Sequence, residues 1–259
     1  MTEQLVSRSN PRIKLAASLD RSSQCRKKGR FLVEGPRFIE DMLSAALPLD
    51  FAILSEKATG LCEETAYKAL EKGIDVLRVP PGVFADVSST EHSQGIAAVS
   101  PVPRFTPSVV FSGGTVLALD GVGDPGNAGT AIRSAAAFGC SGVLFLEGSV
   151  YPWNPKVTRA SAGLNSRVPI IEEKSLAVLK ASFPGYTFLE ASGDGGDIAA
   201  LEAPPSVCIV IGSEADGVRM ETRLLTDGAV SIPMVPGVDS LNAGVSASIL
   251  LYSLFTKRR

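Results

Sequence analysis

Five short apolar segments in the second half of the sequence constrain its fold more than any other feature. Each is rich in aliphatic residues and has a glycine, a proline or an acidic residue at or next to its end. Such runs are typical of strands buried on both faces of a parallel sheet. Helical patterns lie between them, so the sequence predicts an α/β domain with a parallel sheet. The segments are TVLALD (115–120), GVLFLEG (142–148), YTFLEAS (186–192), VCIVIGSE (207–214) and AVSIPM (229–234).

The intervening segments predict helices, and the last helix has a clear start signal. Ser240 precedes the apolar run that closes the sequence, and serine is a favoured N-cap residue. We therefore predict Ser240 as the N-cap of the final helix. The helical segments are NAGTAIRSAAAFG, SLAVLKASF, GVRMETRLLTDG and SLNAGVSASILLYSLF.

The part of the chain before residue 100 predicts a smaller α/β domain. The segment SPVPRFTPS, at 100–108, contains three prolines and neither helical nor strand periodicity, so it is predicted to be a linker. The domains are accordingly 1–103 and 104–259. In the first domain the predicted strands are FLVEG, DFAILS, DVLRVP and GIAAVS, and the predicted helices are PRFIEDMLSAAL and LCEETAYKALEKG.

Composition excludes several classes of protein. The chain is 45% hydrophobic and 20% charged, as soluble globular proteins are. No apolar run is long enough to span a bilayer, and the polar start MTEQLVSRSNPRIK lacks the apolar stretch of a secretory signal. The four cysteines are scattered without a CxxC pair, and His92 is the one histidine. We expect a cytoplasmic protein with neither a metal site nor a disulfide framework, and with His92 in a turn or at the surface.

Positive charge is concentrated at the start of the chain although the net charge is −2. The cluster Arg26-Lys27-Lys28-Gly29-Arg30 precedes an apolar segment and predicts a patch that contacts nucleic-acid phosphates. The alternative is a solvated helix face. The nine basic residues of 1–37 are Arg8, Arg12, Lys14, Arg21, Arg26, Lys27, Lys28, Arg30 and Arg37, against Glu3, Asp20 and Glu34.

The segment DGVGDPGNAGTAIRSAAAFG, at 120–139, follows a predicted strand and opens a helix. Gly121, Gly123 and Gly126 match GxGxxG, and Glu147 ends the next strand, so a nicotinamide-dependent oxidoreductase is one hypothesis. Two features weaken it. Pro125 removes an N–H that would face a pyrophosphate, and the match leaves Asn127 and Arg133, farther along the same segment, without a role.

Two later segments carry polar residues where a ligand would bind. IVIGSEADGV ends a predicted strand in Gly-Ser-Glu214, at the sheet edge where open α/β sheets bind ligands. Glu214 has an alternative interpretation as a helix-capping acid. In SIPMVPGVDSLNAG, the strand breaks into a loop with two prolines before Ser240-Leu241-Asn242 opens the last helix, and such a loop exposes backbone amides and carbonyls.

These three segments resemble, in order and spacing, the three motifs of the SpoU-type (TrmH-like) RNA 2′-O-ribose methyltransferases of the SPOUT superfamily. Asn127-x-Gly129-x-x-x-Arg133 is similar to motif one, and Gly212-Ser-Glu214-x-x-Gly217 to motif two. Ile232-Pro233-Met234 with Ser240-Leu241-Asn242 is similar to motif three. NPRIK, the basic run, FLVEGPR and TEHSQGIAAV resemble the substrate-binding domain attached to these enzymes.

The resemblance implies a C-terminal domain with a trefoil knot, a smaller N-terminal α/β domain of L30e-like type, and a homodimer without metal. It implies S-adenosylmethionine as cofactor, contacted by the backbone of Gly212, Ile232 and Leu241. The substrate would be a ribose 2′-hydroxyl in RNA, large-subunit ribosomal RNA rather than transfer RNA. The implied catalytic residues are Arg133, Asn127, Glu214, Ser240 and Asn242.

Arginine stays protonated in nearly any environment. We therefore expect Arg133 to bind the adjacent phosphate and stabilise the emerging alkoxide, while phosphate or water takes the proton. The other four residues would orient Arg133 and the nucleotide.

The sequence departs from the family pattern after Asn242, where Ala243-Gly244-Val245-Ser246 stands in place of the usual Val-Ser-Val-Ala. Gly244 is expected to weaken the start of the helix slightly. Besides the oxidoreductase, an RNA-binding protein without catalysis is a second alternative, based on the basic N-terminal segment alone.

Overall fold

The computed structural model describes residues 5–88, 90, 93–238 and 240–259, which form two compact units. The first unit contains the residues up to Pro103 together with Trp153–Arg159. The second contains Arg104–Pro152 and Ala160–Arg259. Within the described residues, no helix combines the length and the apolar character needed to cross a membrane.

The connection between the units is shorter than the linker predicted over 100–108. The last strand of the first unit extends through Pro101, which pairs with Arg30 of the neighbouring strand. A short helix begins at Pro107, where the fixed φ angle of proline suits a first helical turn. The prolines therefore mark a strand end and a helix start as well as a connection.

The first unit contains a four-stranded mixed sheet in the order β1-β4-β2-β3. Strand β4 is antiparallel to both β1 and β2, and β3 is parallel to β2. All four strands were predicted, whereas the short helices α1, α2 and α5 were missed because each buries only a few side chains. The elements are α1 (Pro11–Ser18), α2 (Ser22–Lys28), β1 (Arg30–Glu34), α3 (Pro36–Ser44), β2 (Phe51–Ser55), α4 (Leu61–Glu71), β3 (Val76–Val79), α5 (Pro81–Val87) and β4 (Ile96–Pro101).

The second unit contains a six-stranded sheet in the order β10-β8-β9-β5-β6-β7, with every neighbouring pair parallel. This confirms the predicted α/β class with a parallel sheet. The trefoil knot stays a prediction. The elements after residue 103 are α6 (Pro107–Val110), β5 (Gly114–Leu119), α7 (Pro125–Ala137), β6 (Gly142–Phe145), α8 (Pro155–Ala160), a 3₁₀ turn (Leu164–Ser166), β7 (Ile170–Glu172), α9 (Leu176–Ser182), β8 (Thr187–Asp197), β9 (Ser206–Ile211), α10 (Met220–Arg223), β10 (Gly228–Ser231) and α11 (Ala243–Lys257).

One strand of the second unit was missed, and one helix was predicted too long. Strand β7 was missed because three residues give too little pattern to detect. The helix predicted over GVRMETRLLTDG has only the four residues of α10. Arg219 holds the chain extended before it, donating from its backbone N–H and its Nε to Asp120 at 2.8 and 2.7 Å. After α10, the backbone N–H of Asp227 already bonds to β8.

Candidate functional site

The first of the three motifs lies where β5 gives way to α7. Asp124 is the N-cap of α7, and its Oδ1 accepts a hydrogen bond of 2.8 Å from the backbone N–H of Asn127. Pro125 occupies the first helical position, where a missing N–H costs nothing. Asn127 is therefore fixed in the first turn of α7, at the carboxyl edge of the sheet.

The second motif forms a tight hairpin directly after β9. The backbone N–H of Ser213 donates to the carbonyl of Gly217, and the N–H of Gly217 donates to the carbonyl of Ser213, both over 3.0 Å. A Cβ atom on Gly212 would lie 1.9 Å from the carbonyl carbon of Gly217, so this position requires glycine. Gly217 has a φ of +68°, which also favours glycine. The hairpin sets the position of Glu214 within it.

Three of the predicted catalytic side chains meet in one hydrogen-bonded network. The Nδ2 of Asn127 donates to Oε1 of Glu214 over 2.9 Å, and Nδ2 of Asn242 donates to the same oxygen over 2.7 Å. The Nδ2 of Asn242 also lies 2.6 Å from Oδ1 of Asn127. The first and third motifs therefore both donate to the carboxylate of the second.

The last helix begins differently from the prediction that Ser240 is its N-cap. Asn242 is the N-cap, because its Oδ1 accepts from the backbone N–H groups of Gly244 and Val245 at 3.0 and 3.2 Å. Asparagine is as good an N-cap as serine, and its longer side chain also reaches Glu214. Ser240 instead lies exposed before the helix. The helix-capping alternative for Glu214 holds to a small extent, through a 3.4 Å hydrogen bond from the N–H of Ala243.

The structure explains why position 244 is a glycine, which the sequence pattern did not. A Cβ at this position would lie 3.0 Å from Cβ of Thr130 and 3.1 Å from the carbonyl oxygen of Asn127. The glycine therefore permits the first turn of α11 to approach α7 closely. The glycine that weakens the start of α11 therefore also lets α11 approach α7, and these two helices carry Asn242 and Asn127.

A cavity of about 390 Å³ opens beside this network in the second unit. Its wall includes Gly212, Ile232 and Leu241, the three residues predicted to contact a cofactor. Glu214 and Ser240 also line it, so Glu214 belongs both to the cavity and to the hydrogen-bonded network. The remaining lining residues are Ala191, Ser192, Gly193, Ile211, Ser213, Ala215, Gly217, Arg223, Val230, Met234, Ala243, Ser246 and Leu250.

Arg133 lies apart from the other predicted catalytic residues. It is exposed on α7, and its side chain makes no hydrogen bond or ion pair with any residue that the structure describes. It is not part of the cavity wall. Six residues of helix separate it from Asn127, which turns it about 240° around the helix axis. Arg133 is thus exposed on α7, outside both the hydrogen-bonded network and the cavity wall.

Sequence reasoning missed two pairs of charged residues in this unit. Asp120 is completely buried at the end of β5 and binds Arg219, which follows the motif-two hairpin. Glu190 is buried in β8 and accepts a hydrogen bond from Arg223 of α10. Both acids stand in or directly after an apolar strand, and this was the available signal. The Asp120–Arg219 pair ties the segment before Asn127 to the segment after Glu214.

The other reactive side chains contribute little to a site. No cluster suited to a metal ion occurs among the residues that the structure describes, and His92 lies outside them. The four cysteines are free thiols. Burial raises the pKa of Cys25 to about 11 and that of Cys140 to about 12, so both stay protonated at neutral pH.

Comparison with known proteins places both units in described families. Residues 114–252 match the SpoU rRNA methylase family, and residues 10–98 match the MRM3-like substrate-binding domain. The chain is 32% identical to 23S rRNA (guanosine-2′-O-)-methyltransferase RlmB of Xanthomonas axonopodis, over 75% of the chain and 83% of that protein. It is 28% identical to 23S rRNA (guanosine(2553)-2′-O)-methyltransferase RlmP of Bacillus subtilis, over 97% of the chain and 99% of that protein.

A solved structure has the same fold over nearly the whole chain. It is an AdoMet-bound rRNA methyltransferase from Sinorhizobium meliloti, with a TM-score of 0.84, 24% sequence identity and 96% of each chain covered.

Proposed function

Because the chain belongs to the SpoU rRNA methylase family, we propose that it methylates a ribose 2′-hydroxyl of large-subunit ribosomal RNA, with S-adenosylmethionine as the methyl donor. The observation that carries this proposal is the network of Asn127, Glu214 and Asn242 beside the cavity. The names of the Xanthomonas and Bacillus relatives support the ribosomal substrate. Membership of this family excludes the two alternative hypotheses, a nicotinamide-dependent oxidoreductase and an RNA-binding protein without catalysis. We propose the cytoplasm as its location.

The cavity suits S-adenosylmethionine in size and chemistry. Its volume falls within the range of about 300–1,000 Å³ usual for small-molecule sites. Ile211, Val230 and Leu250 supply apolar surface for a nucleoside, and Glu214 supplies a carboxylate for a positively charged group. When bound, the cofactor supplies an electrophilic methyl group. Gly212, Ile232 and Leu241 would hold it, largely through their backbone atoms.

The proposed chemistry divides the catalytic residues into two sets. Asn127, Glu214 and Asn242 are already fixed by hydrogen bonds to each other, so they can orient a nucleotide at little further entropic cost. Ser240, on the cavity wall, would contribute to this set. Arg133 has no such partner and remains available to a phosphate of the substrate. There its guanidinium would stabilise the alkoxide, while phosphate or water accepts the proton.

Mapping of methylated riboses tests this function directly. Total RNA from cells with and without the protein would be compared for 2′-O-methylation in ribosomal and transfer RNA. We expect one or more riboses of large-subunit RNA to lose their methyl group when the protein is absent, and to regain it with the wild-type chain but not with Arg133→Ala. A change confined to transfer RNA would show that transfer RNA, not ribosomal RNA, is the substrate. If methylation changes in no RNA, the proposed activity is contradicted.

We also propose that domain 1–103, which makes up most of the first unit, binds the RNA, with 104–259 as the catalytic domain. The structure places seven of the nine basic residues of its start in two groups. Arg8, Arg12 and Arg30 form ion pairs with Asp86, Asp75 and Asp50, which reduces the charge they offer to RNA. The residues Lys14, Lys27, Lys28 and Arg37 are exposed, and none has an ion-pair partner in the described part of the chain. This second group is the phosphate-binding set of the proposal.

The homodimer implied by the family resemblance has a candidate surface on α11. Tyr252 is 55% exposed and Val245 is 43% exposed, and the ring of Tyr252 lies beside Phe138. Exposed apolar patches of this kind mark protein interfaces. Sedimentation of the wild-type chain should give a dimer, and Tyr252→Lys should shift it toward monomer. Tyr67→Lys changes a tyrosine on α4 that is 63% exposed; it is the control and should leave the dimer intact.

A further inference from the structure

Asp120 holds both ends of the segment that carries Glu214. Its backbone N–H donates to the carbonyl of Ile211 over 2.8 Å, where β9 gives way to the motif-two hairpin. Its carboxylate accepts from Arg219, just after the hairpin. The backbone N–H of Arg219 bonds to Oδ2 at 2.8 Å, and Nε of Arg219 bonds to Oδ1 at 2.7 Å. The two ends of the hairpin segment therefore converge on a single residue.

The chain that leads to Asn127 begins at the same residue. Asp120 directly follows β5, and Asn127, in the first turn of α7, donates from Nδ2 to Glu214 over 2.9 Å. The two segments thus form a closed loop, joined at Asp120 and again by the hydrogen bond between Asn127 and Glu214. Asn242 joins the loop through its own bond to Glu214. A change in the bonds of Asp120 therefore moves the network relative to Arg133, which lies outside it on α7.

Stability alone does not account for an acid at this position. Asp120 is completely buried, and a carboxylate taken out of water is costly unless its partners compensate. Apolar residues of similar volume are often as stabilising as a buried ion pair. The pair instead provides directional bonds, because both carboxylate oxygens are used and Nη2 of Arg219 also lies 2.7 Å from Oδ1. Such bonds hold the segment after the hairpin in one place.

We infer that Asp120 and Arg219 are positioning residues for methyl transfer. They hold Glu214, and with it the whole hydrogen-bonded network, in the place that the reacting nucleotide requires. Neither residue is among the described residues that line the cavity, so the pair acts through the network rather than on a ligand. Misplacement of a reacting group by about 1 Å can cost on the order of a hundredfold in rate. The inference rests on the proposed function, since it concerns that reaction.

Asp120→Asn tests the inference at constant side-chain size. The amide oxygen can still accept from one side, but the amide nitrogen that replaces the second oxygen cannot accept from Arg219. We expect kcat to fall about ten- to a hundredfold, while KM for RNA and the dissociation constant of S-adenosylmethionine change by about twofold or less. Large-subunit RNA from cells that lack the protein, with methyl-labelled S-adenosylmethionine, is the substrate for this measurement.

Glu221→Gln is the matched control. It removes an exposed partner of the same arginine, 2.8 Å from Nη1 of Arg219, and leaves Asp120 in place. Because exposed ion pairs contribute little, its kcat should stay within about twofold of the wild-type value. The double variant Asp120→Asn/Arg219→Gln guards against misfolding, since it removes both charges of the buried pair. It should lose kcat as Asp120→Asn does.

A double-mutant cycle distinguishes positioning from a general loss of stability. Asn127→Ala removes the network bond to Glu214. If Asp120 acts through that bond, Asp120→Asn should lower kcat by about threefold or less in the Asn127→Ala background. Hydrogen exchange adds a measurement without turnover. The amides of 213–219 should exchange faster in Asp120→Asn but not in Glu221→Gln, and exchange in the rest of the second unit should not change.

The outcomes separate the inference from the function on which it rests. A wild-type chain that transfers no methyl group to RNA would contradict the proposed function and the inference with it. Wild-type activity together with full kcat in Asp120→Asn or in the double variant, or with additive losses in the cycle, would overturn the inference alone. Loss of cofactor affinity and faster exchange throughout the unit in Asp120→Asn would also overturn it, because the pair would then support only the fold.

Discussion

The two units of this protein place their charged residues in opposite ways. In the first unit, ion pairs lie at the surface, as in the pair between Arg8 and Asp86, whose side chains are 66% and 43% exposed. In the second unit, Asp120 is completely buried and Glu190 nearly so, each held by an arginine. Surface pairs contribute about 0–1 kcal/mol, whereas a buried acid without its partner costs about 3–5 kcal/mol.

This difference indicates how each unit responds to substitution. Charges on the first unit can be changed with little effect on folding, and their effect appears in long-range attraction to RNA. In the second unit, Asp120, Glu190 and the network of Asn127, Glu214 and Asn242 have defined hydrogen-bond partners, so a single change at these residues affects the shape of the site. Arg133 differs from these residues, since it belongs to the second unit but is exposed and has no partner among the described residues.

The largest expected effect is that of Arg133→Ala on catalysis. Loss of one contact that forms in the transition state should cost about 3–4 kcal/mol, a hundred- to a thousandfold in kcat. Affinity for S-adenosylmethionine should stay within about twofold, because Arg133 does not line the cavity. Single-turnover methylation and calorimetry measure the two quantities. Full activity in this variant would contradict the catalytic assignment and leave Arg133 an ordinary surface residue.

Among substitutions of glycine by alanine in the second unit, Gly212→Ala should reduce the stability of that unit most. The added methyl group would overlap the backbone of Gly217 and Val218, so the hairpin that carries Glu214 must shift. We expect a loss of about 1–3 kcal/mol of unfolding free energy, together with weaker binding of S-adenosylmethionine. Denaturant unfolding and calorimetry provide the measurements. Gly193→Ala is the control, since it adds a methyl group to the same cavity wall at a position with no atom within 4 Å. Equal effects of the two substitutions would contradict the steric argument.

Neutralising exposed charges of the first unit should have a smaller effect, on RNA affinity alone. Lys27→Gln/Lys28→Gln should make the slope of log affinity against log salt shallower by up to about 1.4–1.8, since each lost phosphate contact contributes about 0.7–0.9. Unfolding free energy and S-adenosylmethionine binding should not change. The control Arg8→Gln/Lys68→Gln removes two charges that are already paired with Asp86 and Glu40. If the two double variants alter the slope equally, the division into paired and unpaired charges has no functional meaning.

The smallest effect is a pH-dependent contribution of Asp227 in the second unit. Burial alone would raise the pKa of Asp227, but hydrogen bonds from Lys180 and from the N–H of Phe188, with the charge of Lys180, lower it below 3.8. A lowered carboxyl pKa stabilises the fold above the unfolded pKa, and this stability is lost as pH falls through the folded pKa. Asp227→Asn should therefore lower the unfolding free energy at pH 7 by about 1 kcal/mol or less, since the pair is partly exposed.

The difference for Asp227→Asn should shrink as the pH falls below about 4 and vanish once the wild-type carboxyl is protonated. Thermal unfolding at a series of pH values measures it. Lys180→Met is the matched variant, since it removes a hydrogen-bond donor and a charge beside Asp227 and should reduce the same pH-dependent contribution while leaving the carboxyl in place. A difference for Asp227 that stays constant across the acidic range would indicate lost packing rather than lost charge.

Long apolar strands and the three motifs could be predicted from the sequence, and short elements could not. The strand β9 is a continuous run of buried residues, so its pattern is unambiguous. Strand β7 has three residues, and α10 has four, which is too short for a periodic signal. The N-cap of α11 was predicted two residues early because Ser240 and Asn242 are both good caps. Only the position of Glu214 distinguishes them, since Asn242 can bond to it while capping the helix.

By itself, the sequence determined the α/β class, the parallel sheet and the family, because these depend on the order of residues along the chain. Tertiary structure decided which polar groups meet. Along the chain, Asn127 is 87 residues from Glu214 and 115 residues from Asn242. In the fold it shares a hydrogen bond shorter than 3 Å with each of them. The pairing of Glu190 with Arg223 is likewise absent from any local pattern. Hydrogen bonds act only over a few ångströms, so sequence spacing cannot reveal partners that the folding of a sheet brings together.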